Sequence, residues 1–266
     1  MKICCLASGS SGNMTYIQSD EKRILVDLGI GIKDAEARLF SIGVDPSSID
    51  AIFITHEHVD HIGGIKSFVR KYHTKVFMHE NGYNAILEKT VIPEELRFRF
   101  TDESFMFGDI KVVNYKLSHD AFCCVGYTFI SRGHKISIVT DTGVVPDYAI
   151  RGMAGSDIIV LESNHNVQML LDNKEYSAYL KKRILSVKGH LSNRECSVVI
   201  YKLLNLAPTL QFILAHLSEK NNNPLLCYNE VSGNLAKAGI KEGRDVFIDI
   251  ALQDKRTRVF EIIDEE

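Results

Sequence analysis

No stretch of this chain approaches the ~18 consecutive apolar residues that a membrane span requires, and the opening run from Met1 to Ala7 is too short for a secretory h-region. A soluble, cytoplasmic protein with no membrane partner is expected. Linkers are also missing. The 266 residues contain no Pro-, Ser- or Gly-rich tract, no low-complexity segment and no repeat at a solenoid period. That length suffices for a full α/β core, which predicts one domain over 1–266. C-x-x-C spacing is absent from the six cysteines. Cys4-Cys5 and Cys123-Cys124 are adjacent pairs whose side chains leave a strand on opposite faces, so buried reduced thiols are expected. A net positive charge is lacking as well. A net charge of −3 excludes a protein that holds nucleic acid by global charge alone, and leaves local patches such as Lys181-Lys182-Arg183 with Lys188.

Histidine is concentrated where it counts. Thr55-His56-Glu57-His58-Val59-Asp60-His61 follows the apolar run Ala51-Ile52-Phe53-Ile54 and precedes Ile62-Gly63-Gly64. At an extended strand end His56 and His58 point to one side, while Asp60 and His61 fall where the chain turns into a helix and can face a second ion. A di-nuclear site needs about seven or eight ligand bonds, and nitrogen and oxygen donors suit Zn or Mn.

Short runs rich in Val, Ile and Phe predict strands at 2–7, 23–27, 51–54, 75–78, 104–107, 110–117, 124–130, 135–140, 157–161, 210–214, 245–250 and 257–262. Helical patterns lie at 33–42, 61–71, 80–88, 146–153, 175–186, 192–205 and 224–238. The helix from 192 carries the capping box Ser192-Asn193-Arg194-Glu195. This interleaving predicts an α/β fold, a four-layer αββα sandwich of two sheets with helices outside. Four further polar residues close predicted strands: Asp27, His119, Asp141 and His216.

The ordered set Asp27, His56-x-His58-x-Asp60-His61, His119, Asp141 and His216 resembles the signature motifs of the metallo-β-lactamase superfamily. The resemblance implies that His56, His58 and His119 hold one divalent ion and Asp60, His61 and His216 a second, with Asp141 bridging. It places Asp27 behind a ligand imidazole, fixing its orientation. Two ions ~3.5–4 Å apart bring a shared water toward ionisation at neutral pH, giving a bridging hydroxide as nucleophile. True β-lactamases of the superfamily often carry cysteine at the bridging position. Aspartate there keeps both sites hard and favours a phosphodiester or thioester over a lactam. Asp141 and His216 are 75 residues apart, too close for the cap domain of the larger nucleases. His119 and Asp141 are 22 apart, too close for the protruding arm of transfer-RNA processing relatives.

Within the superfamily the chain is most similar to the WalJ (YycJ) group of bacterial DNA exonucleases. The residues that carry this are Leu6-Ala7-Ser8-Gly9-Ser10-Ser11-Gly12-Asn13, Leu161-Glu162-Ser163-Asn164-His165, Gly189-His190-Leu191-Ser192-Asn193 and Ala215-His216-Leu217-Ser218. Asn166 stands where the group has an acidic residue. The resemblance implies a 5′-to-3′ double-stranded DNA exonuclease whose partner is a DNA end. A Glu162–His190 pair can hold a protonated imidazole beside a leaving oxygen, making His190 the expected general acid, with Glu162 and Asp60 in the catalytic set. Ser8, Ser10 and Asn13 sit in a loop able to present N–H and hydroxyl groups to an anion. With His165, Ser192 and Ser218 they are the candidate phosphate contacts. A small-molecule phosphodiesterase and a glyoxalase-type thioester hydrolase are the alternatives, and a vestigial regulatory fold is expected to have lost one or two of the seven ligands.

Overall fold

Alternation along the first strand already separates three layers. In β1 (Lys2–Ala7), Ile3 and Cys5 face the centre of the molecule, while Cys4 and Leu6 face an outer helical layer. The computed structural model describes residues 1–262. Its first sheet continues with β2 (Met14–Gln18), β3 (Arg23–Val26), β4 (Ala51–Phe53), β5 (Lys75–His79) and β6 (Arg97–Phe100). The second sheet holds β7 (Ser104–Phe107), β8 (Ile110–Leu117), β9 (Cys124–Ser131), β10 (His134–Val139), β11 (Ile158–Glu162), β12 (Gln211–Ala215) and β13 (Phe247–Ile250). A short β14 (Phe260–Glu261) returns to the first sheet, giving the orders β14-β1-β2-β3-β4-β5-β6 and β13-β12-β11-β10-β9-β8-β7.

Between the sheets lies an apolar layer that includes Phe53, Tyr127, Phe129, Ile138, Val160 and Ile213. Each fully buried aromatic or aliphatic side chain there contributes about 1.5–3 kcal/mol. Outside the first sheet pack α1 (Ile32–Phe40), α2 (Val59–Ile62), α3 (Ile65–Tyr72) and α4 (Tyr83–Lys89), through residues such as Leu39, Phe68 and Ile86. The chain then forms α5 (Asp147–Met153), α6 (Val167–Asp172), α7 (Ala178–Ile184), α8 (Asn193–Leu206) and α9 (Pro224–Lys237). Of these, α5, α8 and α9 cover the second sheet through Ile150, Ile200 and Val231. The result is the expected αββα layering. All six cysteines are buried free thiols, and Cys123 and Cys124 face opposite layers. No described helix is long and apolar enough to cross a membrane.

Two strands, β2 and β6, and the short α6 have no counterpart among the predicted elements. The helix expected over 61–71 is broken at Gly63-Gly64 into α2 and α3. The Gly64 N–H donates to the Leu28 carbonyl at 2.9 Å in place of a helical bond, and a Cβ on Gly64 would lie 2.1 Å from the Ile30 carbonyl oxygen, so glycine is required at this close approach. Gly29 is tighter still, with its ideal Cβ 1.7 Å from the Asp60 carbonyl oxygen. Gly29→Ala is therefore expected to lower unfolding free energy by about 1–3 kcal/mol, measurable by denaturant titration.

Strand direction decides where the chemistry lies. β3 and β4 run parallel, as do β10, β11 and β12, and β1 and β8 share those directions through antiparallel intermediates. The segments after β1, β3, β4, β8, β10, β11 and β12 consequently meet at one end of the sandwich. Asp27, Asp141 and His216, each at such an exit, hold left-handed backbone with φ of 59°, 58° and 57°. Non-glycine residues rarely accept that conformation, and its occurrence three times at one end marks a functional site.

Candidate metal centre

Four groups of side chains gather at this end, each with donor atoms within 4.8 Å of one another. His56, His58 and His119 form one, and Asp60, His61 and His216 another. Asp141 joins a third with His56 and His61. The fourth comprises Asp141, Glu162, His190 and His216. His61 Nε2 lies 3.3 Å from both Asp60 Oδ2 and Asp141 Oδ2. Asp141 Oδ1 is 3.5 Å from His216 Nε2 and 3.8 Å from His119 Nε2. The Asp141 carboxylate thus stands between the two histidine groups.

The donors are held from behind. Asp27 Oδ2 accepts from His61 Nδ1 at 2.7 Å, and its two oxygens also accept from the Thr55 amide and hydroxyl at 2.8 and 2.9 Å. Thr55 Oγ1 is 3.0 Å from His56 Nδ1, and His119 Nδ1 is 3.2 Å from the Gly189 carbonyl. Each contact fixes one ring nitrogen and leaves the other aimed inward. Asp27→Ala is expected to weaken divalent-metal affinity about 10–100-fold, measured by competition with a chelating dye.

Glu162 serves two rings. Its Oε1 lies 2.7 Å from His190 Nδ1 and 3.0 Å from His216 Nδ1, while Oε2 accepts from the amides of Thr142 and Leu191 at 3.0 and 3.1 Å. Burial alone would raise this carboxyl's pKa, but the His190 and His216 partners reverse that and hold it low. Burial likewise opposes charge on His190, and Glu162 outweighs it, so the imidazole keeps its proton above its ordinary range. On His216, burial is outweighed by Asp141, Asp60 and Glu162, which push the pKa up to about 10. That excess of negative charge is what divalent cations would neutralise, displacing protons as they bind. His56 differs, because burial and three neighbouring histidines depress it and keep its lone pair available.

The structure offers a direct test of fit. Among the described residues, His56 Nε2, His119 Nε2 and Asp141 Oδ2 are buried with no hydrogen-bond partner. Buried polar atoms are seldom left so, and three converging ones match a cation held by nitrogen and oxygen donors, of the Zn or Mn kind.

A family model described as the metallo-beta-lactamase superfamily matches residues 7–121. Over 241 residues, 90% of each protein, the chain is 37% identical to "Exodeoxyribonuclease YycJ" of Bacillus anthracis. The chain belongs to the metallo-β-lactamase superfamily. It is also 34% identical to "Exodeoxyribonuclease WalJ" of Streptococcus pneumoniae over 266 residues, 98% of each. The solved metallo-beta-lactamase fold protein YhfI from Bacillus subtilis superposes with a TM-score of 0.72 at 17% identity, covering 98% of this chain and 99% of that one. The protein is accordingly a metallo-β-lactamase-superfamily hydrolase with candidate divalent-metal sites.

Several candidate phosphate contacts of this superfamily member have other work. Ser8 is buried, and its hydroxyl accepts from the His216 amide at 2.7 Å. Asn13 clamps its own loop through Gly9 and sits 3.1 Å from His61 Nε2. Ser192 is spent on the capping box with Glu195 at the start of α8. His165 has no exposed surface, and burial drives its pKa down to about 4. These four side chains are buried, and of them His165 has no hydrogen-bond partner at either ring nitrogen. Exposed Ser10 and buried Ser218, whose hydroxyl accepts from the Asn221 amide at 3.2 Å, border a cavity of about 140 Å³ together with His190. The basic run is partly spent as well: Arg183 pairs with Asp120, and Lys181 Nζ donates to the Leu171 carbonyl, leaving Lys182 and Lys188 exposed.

Sequence reasoning missed three neighbours of the site. Glu162 also binds His216, Thr55 ties Asp27 to the histidine motif, and Asp120 sits 3.2 Å from His119 Nε2. Thr55, next to His56 in the chain, and Asp120, next to His119, carried a positional hint.

Proposed function

We propose that the protein is a two-metal phosphodiesterase that removes nucleotides from DNA ends, working 5′ to 3′ on double strands in the cytoplasm. The observation that carries this reading is the Glu162 carboxylate shared between His190 and His216 at 2.7 and 3.0 Å. One acid thereby couples a ring in the candidate ligand groups to a ring outside the two histidine triads. The exodeoxyribonuclease names of the relatives and the hard oxygen bridge available from Asp141 point the same way.

His56, His58 and His119 would hold one ion and Asp60, His61 and His216 the other, with Asp141 contacting both. Bound there, two divalent ions supply an ionised water at neutral pH and charge stabilisation for phosphate oxygens. The protein's own groups do the rest. Asp27 and Thr55 keep His61 and His56 in register. Glu162 fixes the His190 tautomer with Nδ1 engaged, so the opposite nitrogen, Nε2, can give a proton to the departing 3′ oxygen. Products would be 5′-phosphorylated nucleotides.

The test is a time course on linear double-stranded DNA labelled separately at each end, with Zn or Mn supplied and Asp141→Ala alongside. Early loss of the 5′ label as short products, absent in the variant, is expected. Intact DNA with a metal-filled protein would overturn the proposal and point to a small diester or thioester.

A further inference from the structure

The cavity beside His190 has a mixed lining. Ser10, Asn164, Ser218, His190 and the Asp120–Arg183 ion pair supply polar and charged groups. Tyr176, Leu180 and Ile184 supply apolar surface. Leu180 and Ile184 stand one turn apart on α7, so they share a helix face. No residue of α7 is buried, which means this face is not consumed by core packing. Tyr176 precedes the Ser177 cap of that helix, and its segment is tied twice to the loop after His216. Glu175 pairs with Lys220, and Asn173 Nδ2 donates to Asn221 Oδ1 at 2.7 Å. The half-buried ring of Tyr176 is thus anchored over a cavity that already contains the proposed proton donor.

We infer that this cavity is the subsite for the departing nucleoside, whose base stacks on Tyr176 while its sugar and phosphate oxygens face Ser10 and Ser218. The inference rests on the phosphodiesterase reading above. If His190 protonates the departing oxygen, the space next to His190 must receive the nucleoside that carries it. A nucleoside has an apolar π-face and a polar, oxygen-rich side, and the lining offers contacts of both kinds. Stacking accepts any base, which suits an enzyme that must pass every sequence. In the 5′-to-3′ direction proposed above, the group that departs with its 3′ oxygen is the terminal nucleotide itself, so the released product is the ligand of this subsite.

Two measurements test this on the metal-loaded chain. In the first, steady-state kinetics compare duplexes with a normal or an abasic departing residue. Tyr176→Ala should raise KM about tenfold on the normal duplex, with a smaller change in kcat, and should erase the difference between the two duplexes. Tyr176→Phe, which keeps the ring, should restore it. The second uses the absence of tryptophan from the sequence: Tyr176→Trp installs a lone indole. Its fluorescence should be quenched by deoxyadenosine 5′-monophosphate and not by deoxyribose 5-phosphate. Normal digestion with an unchanged KM in Tyr176→Ala and an unquenched indole would overturn the subsite alone. A metal-loaded wild type that leaves DNA intact would overturn the phosphodiesterase reading and the subsite with it.

Discussion

Purified His190→Ala should carry the same metal content as the parent chain and lose about 10²–10⁴-fold in kcat, the range typical of removing a positioned proton donor. The expectation follows from how the ring is held. Nδ1 is committed to Glu162 at 2.7 Å, which fixes the tautomer and favours the protonated form. The side chain is 19% exposed, against 0% for Glu162, so the acid is hidden while the imidazole still reaches the cavity. The ring also lies within the Asp141, Glu162 and His216 group, so an alternative role as a metal ligand has a distinct signature. Metal analysis beside single-turnover rates separates the two, since a fall in bound metal would make His190 a ligand rather than a donor.

Glu162→Gln is expected to be worse than the His190 change in one respect and similar in another. Turnover should fall by a comparable factor, because an amide cannot stabilise a charged His190. Metal affinity should also fall about 10–100-fold, because His216 loses the partner that orients it. Four donors converge on this one buried carboxylate, so a further loss of about 1–3 kcal/mol in unfolding free energy is expected from donors left poorly matched. Metal titration, kinetics and denaturant melts on the same preparation check all three. Unchanged metal affinity with reduced turnover would show that Glu162 serves His190 alone.

Most of the layered fold was legible because each half-buried or fully buried strand advertises itself by apolar runs of strand length. The exceptions are informative. β2 is buried on both faces but interleaves Thr15 and Gln18 with Met, Tyr and Ile, and β6 alternates Arg97, Phe98, Arg99 and Phe100, so neither reads as a clean run. The break between α2 and α3 goes with a hydrogen bond from Gly64 to the distant Leu28 carbonyl, which no local pattern encodes. At the site, the chemical types and their strand-end positions were visible, and these seven side chains do converge. Hidden were the partners. Ser8 meets the His216 amide across 208 residues, and Asn13 meets His61 across 48. Spacing names candidate donors, but only tertiary structure shows which polar groups are already spoken for.

The left-handed backbone at Asp27, Asp141 and His216 sets activity and robustness against each other. A non-glycine residue in that conformation costs on the order of 1–2 kcal/mol, and glycine would relieve it. Asp141 is also a buried carboxylate, set among the imidazoles of His61, His119 and His216. Glycine at any of the three is thus expected to ease the backbone while removing a candidate site group, and the apolar layers on either side supply stability that offsets the strain.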